Sequence, residues 1–266
     1  MLLASVCDTF PLTNKEFIRM HQMIMLWGVP RSISTAFERY FIERKDHAIG
    51  HEIFTYPYYF GEGRQTGIVY QTINQDLPMS YEAAKAWCYE QAAQKPLFNK
   101  DMAFQPFAHI MDDEQFIKDC THTFLIRNPE NTIRSYYNMQ KELTNEEIGF
   151  ECSWKLFQRI TEVTGKKPLI VQAENLEDDP EGTMKAYCEY CNIPFIKEAL
   201  YWEAGMPKEW EHWAEWHGDA AKVCGIQKNV EKFDFEINDI PEVKAWYEYA
   251  LPYYQKLKAE AEAMSK

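Results

Sequence analysis

"LWGVPRSISTAFERYF", residues 26–41, joins an apolar run to an amphipathic segment through a short loop of Pro, Arg and hydroxyl residues. The run "MIMLWG" (23–28) has the length and composition of a strand buried on both faces. Residues 34–45 place Phe37, Tyr40 and Phe41 on one helical face. A helix N-terminus presents unpaired backbone N–H groups and the positive end of the helix dipole, so a loop at this junction favours an anion. Ser34 reads as the N-cap, with Glu38 in the first turns. Arg31 can fork onto phosphate or sulfate oxygens, and Ser32, Ser34 and Thr35 can donate hydroxyl bonds. Taken alone, the stretch fits an ordinary strand–turn–helix junction as well as it fits an anion cradle.

Working outward, the same alternation recurs. Strands are predicted at 48–54, 96–100, 122–127 and 168–173, and helices at 80–94, 129–141, 146–164, 181–191 and 242–263. This pattern predicts one α/β domain over residues 1–266, with a central parallel sheet flanked by helices. Residues 195–266 read as a mostly helical, Trp-rich region packed over the sheet edge. In such folds ligands bind at the carboxyl ends of the strands. Arg31, Lys100 and Arg127 fall at three of those ends, in a chain with 28 Lys and Arg against 41 Asp and Glu.

The formal charge of −13 argues against nucleic-acid partners and against anionic membranes. No signal peptide is visible, Asp8 interrupts the apolar start, and no run approaches the roughly 20 apolar residues that span a bilayer. The seven cysteines are irregularly spaced, and the lone C-x-x-C, Cys188 and Cys191, lacks a second ligand pair. Buried thiols in a soluble, cytoplasmic protein are therefore expected, and no metal centre.

A second motif, "FLIRNPENTIRSYYNM", follows the predicted strand at 122–127. Arg127 sits at the strand end, Pro129 opens a helix, and Ser135 lies about two turns on, so Arg127 and Ser135 can face one phosphate. The plainer reading pairs Arg127 with a surface carboxylate. Against the Walker A pattern, Gly28 and Thr35 fit the ends, but Ile33-Ser34 replace Gly-Lys, which weighs against a P-loop kinase or nucleotidase.

Together the two stretches resemble the sulfotransferases that use 3′-phosphoadenosine 5′-phosphosulfate (PAPS). That family carries a loop of the type [YS]-P-[KR]-S-G-[ST]-T, here "VPRSIST", and a 3′-phosphate motif R-[ND]-P-x5-S, here Arg127, Asn128, Pro129 and Ser135. "VQAENLEDDPEGTMKAYCEYCNIPF" looks like the family's E-[DN]-L-x-x-D-P segment, and "NKDMAF" stands where many members have K-x-H. The last two look most like bacterial P-loop members, and the resemblance runs in order from about residue 23 to 196. It implies a P-loop-like fold and metal-independent transfer of a sulfuryl group to a hydroxyl or amine of a small molecule, leaving 3′-phosphoadenosine 5′-phosphate (PAP). It also implies donor contacts from Arg31, Ser32, Ile33, Ser34, Thr35, Arg127 and Ser135, with Arg31 and Lys100 stabilising the leaving phosphate. Two departures stand out. Ile33 replaces the loop glycine, and a β-branched residue resists positive φ, so the loop is expected to turn differently. Met102 replaces the histidine that serves as base in cytosolic members.

The base must then come from elsewhere. Glu52 leads, because some sulfotransferases outside the cytosolic group use a glutamate near this position. His51 follows, with the better ordinary pKa, and Asp101 is third. On a strand His51 and Glu52 point to opposite faces, so at most one is expected to reach the site. Aromatic residues cluster at Phe54, Tyr56, Tyr58, Tyr59 and Phe60, and again at Trp210, Trp213 and Trp216 beside His217. They read either as lid packing or as walls for a flat or cationic acceptor, such as a nitrogen-rich natural product of secondary metabolism. A catalytically inactive, sulfotransferase-like binding protein is the non-enzymatic alternative.

Overall fold

The computed structural model describes residues 20–61, 77–218, 220–228 and 232–264. Its centre is a five-stranded parallel sheet of β1 (Met23–Gly28), β2 (Ala48–His51), β3 (Leu97–Met102), β4 (Cys120–Ile126) and β5 (Leu169–Gln172), in the order β2-β3-β1-β4-β5. β1 lies in the middle, paired with β3 and β4, and every one of its residues is buried. Alternate β1 side chains serve opposite faces. Met23, Met25 and Trp27 enter one apolar cluster, and Ile24 and Leu26 the other.

Helices cover both faces. α1 (Ser34–Arg44) brings Phe37, Tyr40 and Phe41 onto the second cluster, as their spacing predicts. The short α2 (Thr55–Phe60) precedes α3 (Tyr81–Ala92), which is capped by Ser80 accepting from the Ala83 N–H at 3.2 Å. α4 (Phe107–Ile110) and α5 (Glu114–Asp119) lead into β4, and α6 (Pro129–Met139) leaves it. α7 (Asn145–Ile148) and α8 (Phe150–Thr164) divide the single helix predicted over 146–164, because Gly149 breaks it at φ 86°. α9 (Ala173–Asp178) and α10 (Pro180–Tyr190) follow β5.

Past residue 195 the expectation of a mostly helical region is only partly met. Short 3-10 turns and α11 (Ala214–His217) carry the chain through the tryptophan-rich stretch. Only α12 (Pro241–Met264) is long among the described elements there, and it packs beside the edge strand β5 and against α6 and α8.

The strand predicted over 48–54 ends at His51 instead. Glu52 takes φ 52°, a left-handed conformation that breaks the extended backbone and turns it into α2. Gly50 is required within β2: a Cβ there would stand 2.2 Å from Oδ1 of its register partner Asn99. The described cysteines are free thiols, of which Cys88, Cys152, Cys188 and Cys191 are buried, Cys120 half-buried and Cys224 exposed. Cys7 lies outside the described residues. Among the described residues no helix is long and apolar enough to cross a membrane.

Candidate functional site

The loop after β1 turns through two left-handed residues, Arg31 at φ 61° and Ile33 at φ 62°. Ile33, not Ser34, is the N-cap, and it supplies no side-chain hydrogen bond to the helix start. The expected avoidance of positive φ at Ile33 is therefore overturned. The loop keeps the turn a glycine would make and bears a strain of about 1–3 kcal/mol at such a residue. Its tight form is fixed from within, since the wholly buried Ser32 donates from Oγ to the Val29 carbonyl at 2.6 Å. Ser32 is thus a brace of the turn and does not line the cleft. Left-handed turns direct successive backbone N–H groups to one side, which makes a concavity suited to an anion.

The second motif meets the first. Asn128 caps α6 through the Glu130 N–H at 3.0 Å, and Pro129 occupies its first position. Ser135, on α6, accepts from Nε of Arg31 at 2.9 Å. Arg127 donates to the Arg31 carbonyl at 3.3 Å and lies 3.7 Å from the buried Glu177 carboxylate, so its acidic neighbour is internal rather than on the surface. Among the described residues its buried Nε has no hydrogen-bond partner, although Arg127 lines the cleft. The third segment is tied in as well, through the Asn128 N–H donating to Glu174 at 2.8 Å.

Beneath this loop Lys100, wholly buried, is ion-paired with Glu52 at 2.5 Å. Burial opposes a charge on Glu52, but the Lys100 ammonium, His51 and His217 outweigh it and hold the carboxyl down at about 2. A carboxylate so stabilised is a weak base. Burial likewise opposes the Lys100 charge, and Glu52 and Glu38 raise its pKa in spite of that. Asp101 is also wholly buried, accepting from the Asn99 amide at 2.7 Å and from the Phe54 N–H at 3.2 Å, and burial raises its pKa well above the ordinary value. It faces the protein interior and does not line the cleft, which removes it as a candidate base.

His51 and Glu52 both turn toward the same place, contrary to the expectation of opposite faces, because the strand ends between them. His51 donates from Nδ1 to the buried Glu38 carboxylate at 2.6 Å, and its Nε2 lies 2.9 Å from Nε2 of His217. Trp210 donates to the same Glu38 oxygen at 2.7 Å. His217 in turn reaches Thr35 Oγ1 through Nδ1 at 3.2 Å. Burial, then the charges of Lys100 and His51, push the His217 pKa down to about 2. His51, Glu52 and His217 offer possible metal-ligand atoms all within 4.8 Å of one another. A cation there would have to displace the Lys100 ammonium from Glu52.

These groups border a cleft of about 680 Å³. Of the predicted site residues, Arg31, Ile33, Ser34, Thr35, Glu52 and Arg127 line it, whereas Ser32, His51, Lys100 and Ser135 form the layer behind. Tyr59, Phe104, Tyr136, Trp213 and Trp216 supply aromatic walls. Phe54 belongs to the core, Tyr58 packs on Phe104, and Trp210 is buried under the cleft. Lys222 and Lys228 also line the cleft. The sequence reading missed them, and their one signal was a pair of lysines in "AKVCGIQKN" following the tryptophan cluster of an acidic chain.

Comparison with known proteins bears on this arrangement. The chain is 28% identical over 200 residues to branched-chain-amino-acid aminotransferase-like protein 2 of Arabidopsis thaliana, and 26% identical over 199 residues to protein 1 of the same name. These alignments cover 73% of the chain but only 34% of each relative, so the chain spans about a third of their length. Among solved structures, a sulfotransferase from Alicyclobacillus acidocaldarius aligns with 14% identity and a TM-score of 0.48, covering 75% of this chain and 92% of that one. The sulfotransferase domain of the Synechococcus PCC 7002 olefin synthase aligns with 14% identity and a TM-score of 0.47, covering 92% and 94%. The family profile described as "Sulfotransferase domain" matches residues 22–261. A match of that extent, over a chain whose ordered segments meet at the carboxyl edge of its sheet, makes the chain a member of the sulfotransferase family.

Proposed function

We propose that the protein transfers a sulfuryl group from PAPS to a hydroxyl or amine of a small molecule. The observation that carries this reading is the convergence of Arg31, Ser135 and Arg127 at the open start of α1, with the Arg127 Nε, among the described residues, left as an unpartnered buried donor. A doubly phosphorylated nucleotide supplies acceptor oxygens to such a set. Arg31, the N–H groups of the loop, and the hydroxyls of Ser34 and Thr35 hold the 5′-phosphosulfate, and Arg127 reads the 3′-phosphate, with Ser135 bracing Arg31 from behind. The acceptor attacks sulfur as the bond to the phosphate oxygen breaks, and Arg31 stabilises the charge left on PAP. Lys100 adds positive potential from behind, through its pair with Glu52. The aromatic walls suit a flat or cationic acceptor, including a nitrogen-rich natural product.

Calorimetric titration with PAP and with ATP, both without metal, tests the reading. Tight binding of PAP alone, lost in Arg127→Ala, is the expected result. Equal or absent binding of the two would remove it and leave an α/β P-loop-like protein of unknown function. PAP binding with no turnover of PAPS on any phenol or amine would favour the inactive binding protein.

A further inference from the structure

The donor loop and the acceptor side of the cleft are joined by an unbroken line of hydrogen bonds that neither the family match nor the motif residues explain. It runs from the buried Glu38 carboxylate on α1 to His51 at 2.6 Å, then to His217 at 2.9 Å, then to the Thr35 hydroxyl at 3.2 Å. The donor and acceptor roles along it follow from one end. Ionised Glu38 only accepts, so His51 carries its proton on Nδ1 and offers a lone pair at Nε2. His217 must then donate from Nε2, which leaves its Nδ1 as the acceptor for the Thr35 hydroxyl. Of the two imidazoles, His217 lines the cleft and His51 lies behind it.

We propose that His217 is the general base for the acceptor, that His51 and Glu38 store the proton it takes, and that donor binding uncovers it by drawing the Thr35 hydroxyl away. This rests on the reading of the protein as a PAPS-dependent sulfotransferase. The step balances as follows. The acceptor O–H bond breaks and its proton goes to His217 Nδ1, while the Nε2 proton of His217 passes to His51 Nε2. The acceptor oxygen forms its bond to sulfur, the sulfur–oxygen bond to the phosphate breaks, and the electron pair leaves on PAP. The products are a sulfate ester, PAP and a His51 imidazolium facing the Glu38 carboxylate; its Nε2 proton then returns to His217 Nε2 as the His217 Nδ1 proton passes to water in the cleft, which restores the starting tautomers.

The arrangement explains why a histidine held down at about 2 can serve as a base. His217 needs only to pass the proton on, and the group that keeps it is His51, next to a carboxylate. The charged groups facing the pair are Glu38 from α1, Glu52 after β2, Lys100 from β3, and Arg31 from the loop. Lys100 is already matched by Glu52. Glu38, by contrast, receives the neutral N–H donors of His51 and Trp210, and among the described residues its other oxygen has no partner.

The decisive measurement is the ¹⁵N imidazole spectrum of the full chain against pH, with and without PAP. The expected result is one shared proton taken up by the His51–His217 pair, appearing on His51. Glu38→Gln should lower that midpoint by at least one pH unit. Trp210→Phe, which frees the carboxylate of one donor and leaves the chain packed, should raise it. PAP should abolish the Thr35 hydrogen bond at His217 Nδ1. Independent titration of the two rings, or a midpoint that moves in neither variant, would overturn the proposal. Turnover of PAPS with 2-naphthol and with tyramine gives the second readout: His217→Gln should lose at least 100-fold in kcat while binding PAP within a few-fold of wild type. Failure of wild type to bind PAP would remove the sulfotransferase reading, and with it the base, whereas the ring titration would still report whether the two histidines share a proton.

Discussion

Arg31 and Ser135, 104 residues apart in the chain, meet through a 2.9 Å hydrogen bond from Nε to the hydroxyl. The bond fixes the plane of the guanidinium. Replacing Ser135 by Ala removes this brace from the proposed donor site. A hydrogen bond to a charged group contributes about 1.5–3 kcal/mol, so PAP affinity should fall about 10–100-fold. Calorimetry on Ser135→Ala checks this, and unchanged affinity would detach Ser135 from the donor site.

The ion pair of Glu52 and Lys100 should dominate the stability of the site. In Glu52→Gln the wholly buried ammonium loses its counter-charge, which costs about 3–5 kcal/mol at neutral pH. The sign with pH follows from the depressed carboxyl. Its folded value of about 2 lies below the ordinary 4.5, so its stabilisation is complete above pH 4.5 and is lost as the pH falls toward 2. Urea unfolding of wild type and variant should therefore diverge at pH 7 and approach one another below pH 4.5.

A separate acid sensitivity begins higher. Burial pushes His122 down to about 4 and His217 down to about 2, from an ordinary 6.5. Both rings stay neutral in the fold while the unfolded chain binds protons, so stability declines as the pH drops below 6.5. Each contributes up to about 1.4 kcal/mol per pH unit over its window. His122 accepts from the Trp27 indole N–H at 2.9 Å and approaches the Ile117 carbonyl at 3.0 Å, and glutamine can make both contacts. His122→Gln should flatten the pH 4–6.5 slope by about that amount in denaturant titrations. An unchanged slope would mean the ring is protonated in the native state.

Gly50→Ala should disturb the site without touching it. The added methyl meets Oδ1 of Asn99 at 2.2 Å, and Asn99 holds Asp101 through a 2.7 Å bond. Overpacking of this kind costs about 1–3 kcal/mol, and the midpoint of unfolding should fall accordingly. Retention of wild-type stability would show that β2 and β3 can separate at this point.

The strands were legible because each is a short apolar run ending in a polar or charged residue, and burial on both faces leaves no other pattern. Arg31, Arg127 and Ser135 were legible because fixed spacings after two strands bring them to one edge. What escaped depended on single backbone angles and on distant chain. Ile33 adopts the turn of a glycine despite its side chain, since the loop around it is held by Ser32 and by both neighbouring strands. Glu52 leaves the strand by one left-handed residue, and so joins His51 instead of opposing it. Glu38 looked like an acid near a helix start, and its role as partner of His51 and Trp210 requires residues 13 and 172 positions away. His217 could be noticed beside the tryptophans, but no local pattern ties it to Thr35.

That distance has a consequence for how the protein is made. The loop after β1 and the five strands of the sheet leave the ribosome before residue 217 is added. A nascent chain can thus assemble its anion cradle while still lacking the imidazole that reaches Thr35 from 182 residues downstream. Completion of the cleft waits on Trp213, Trp216 and His217, which are added well after the last strand of the sheet.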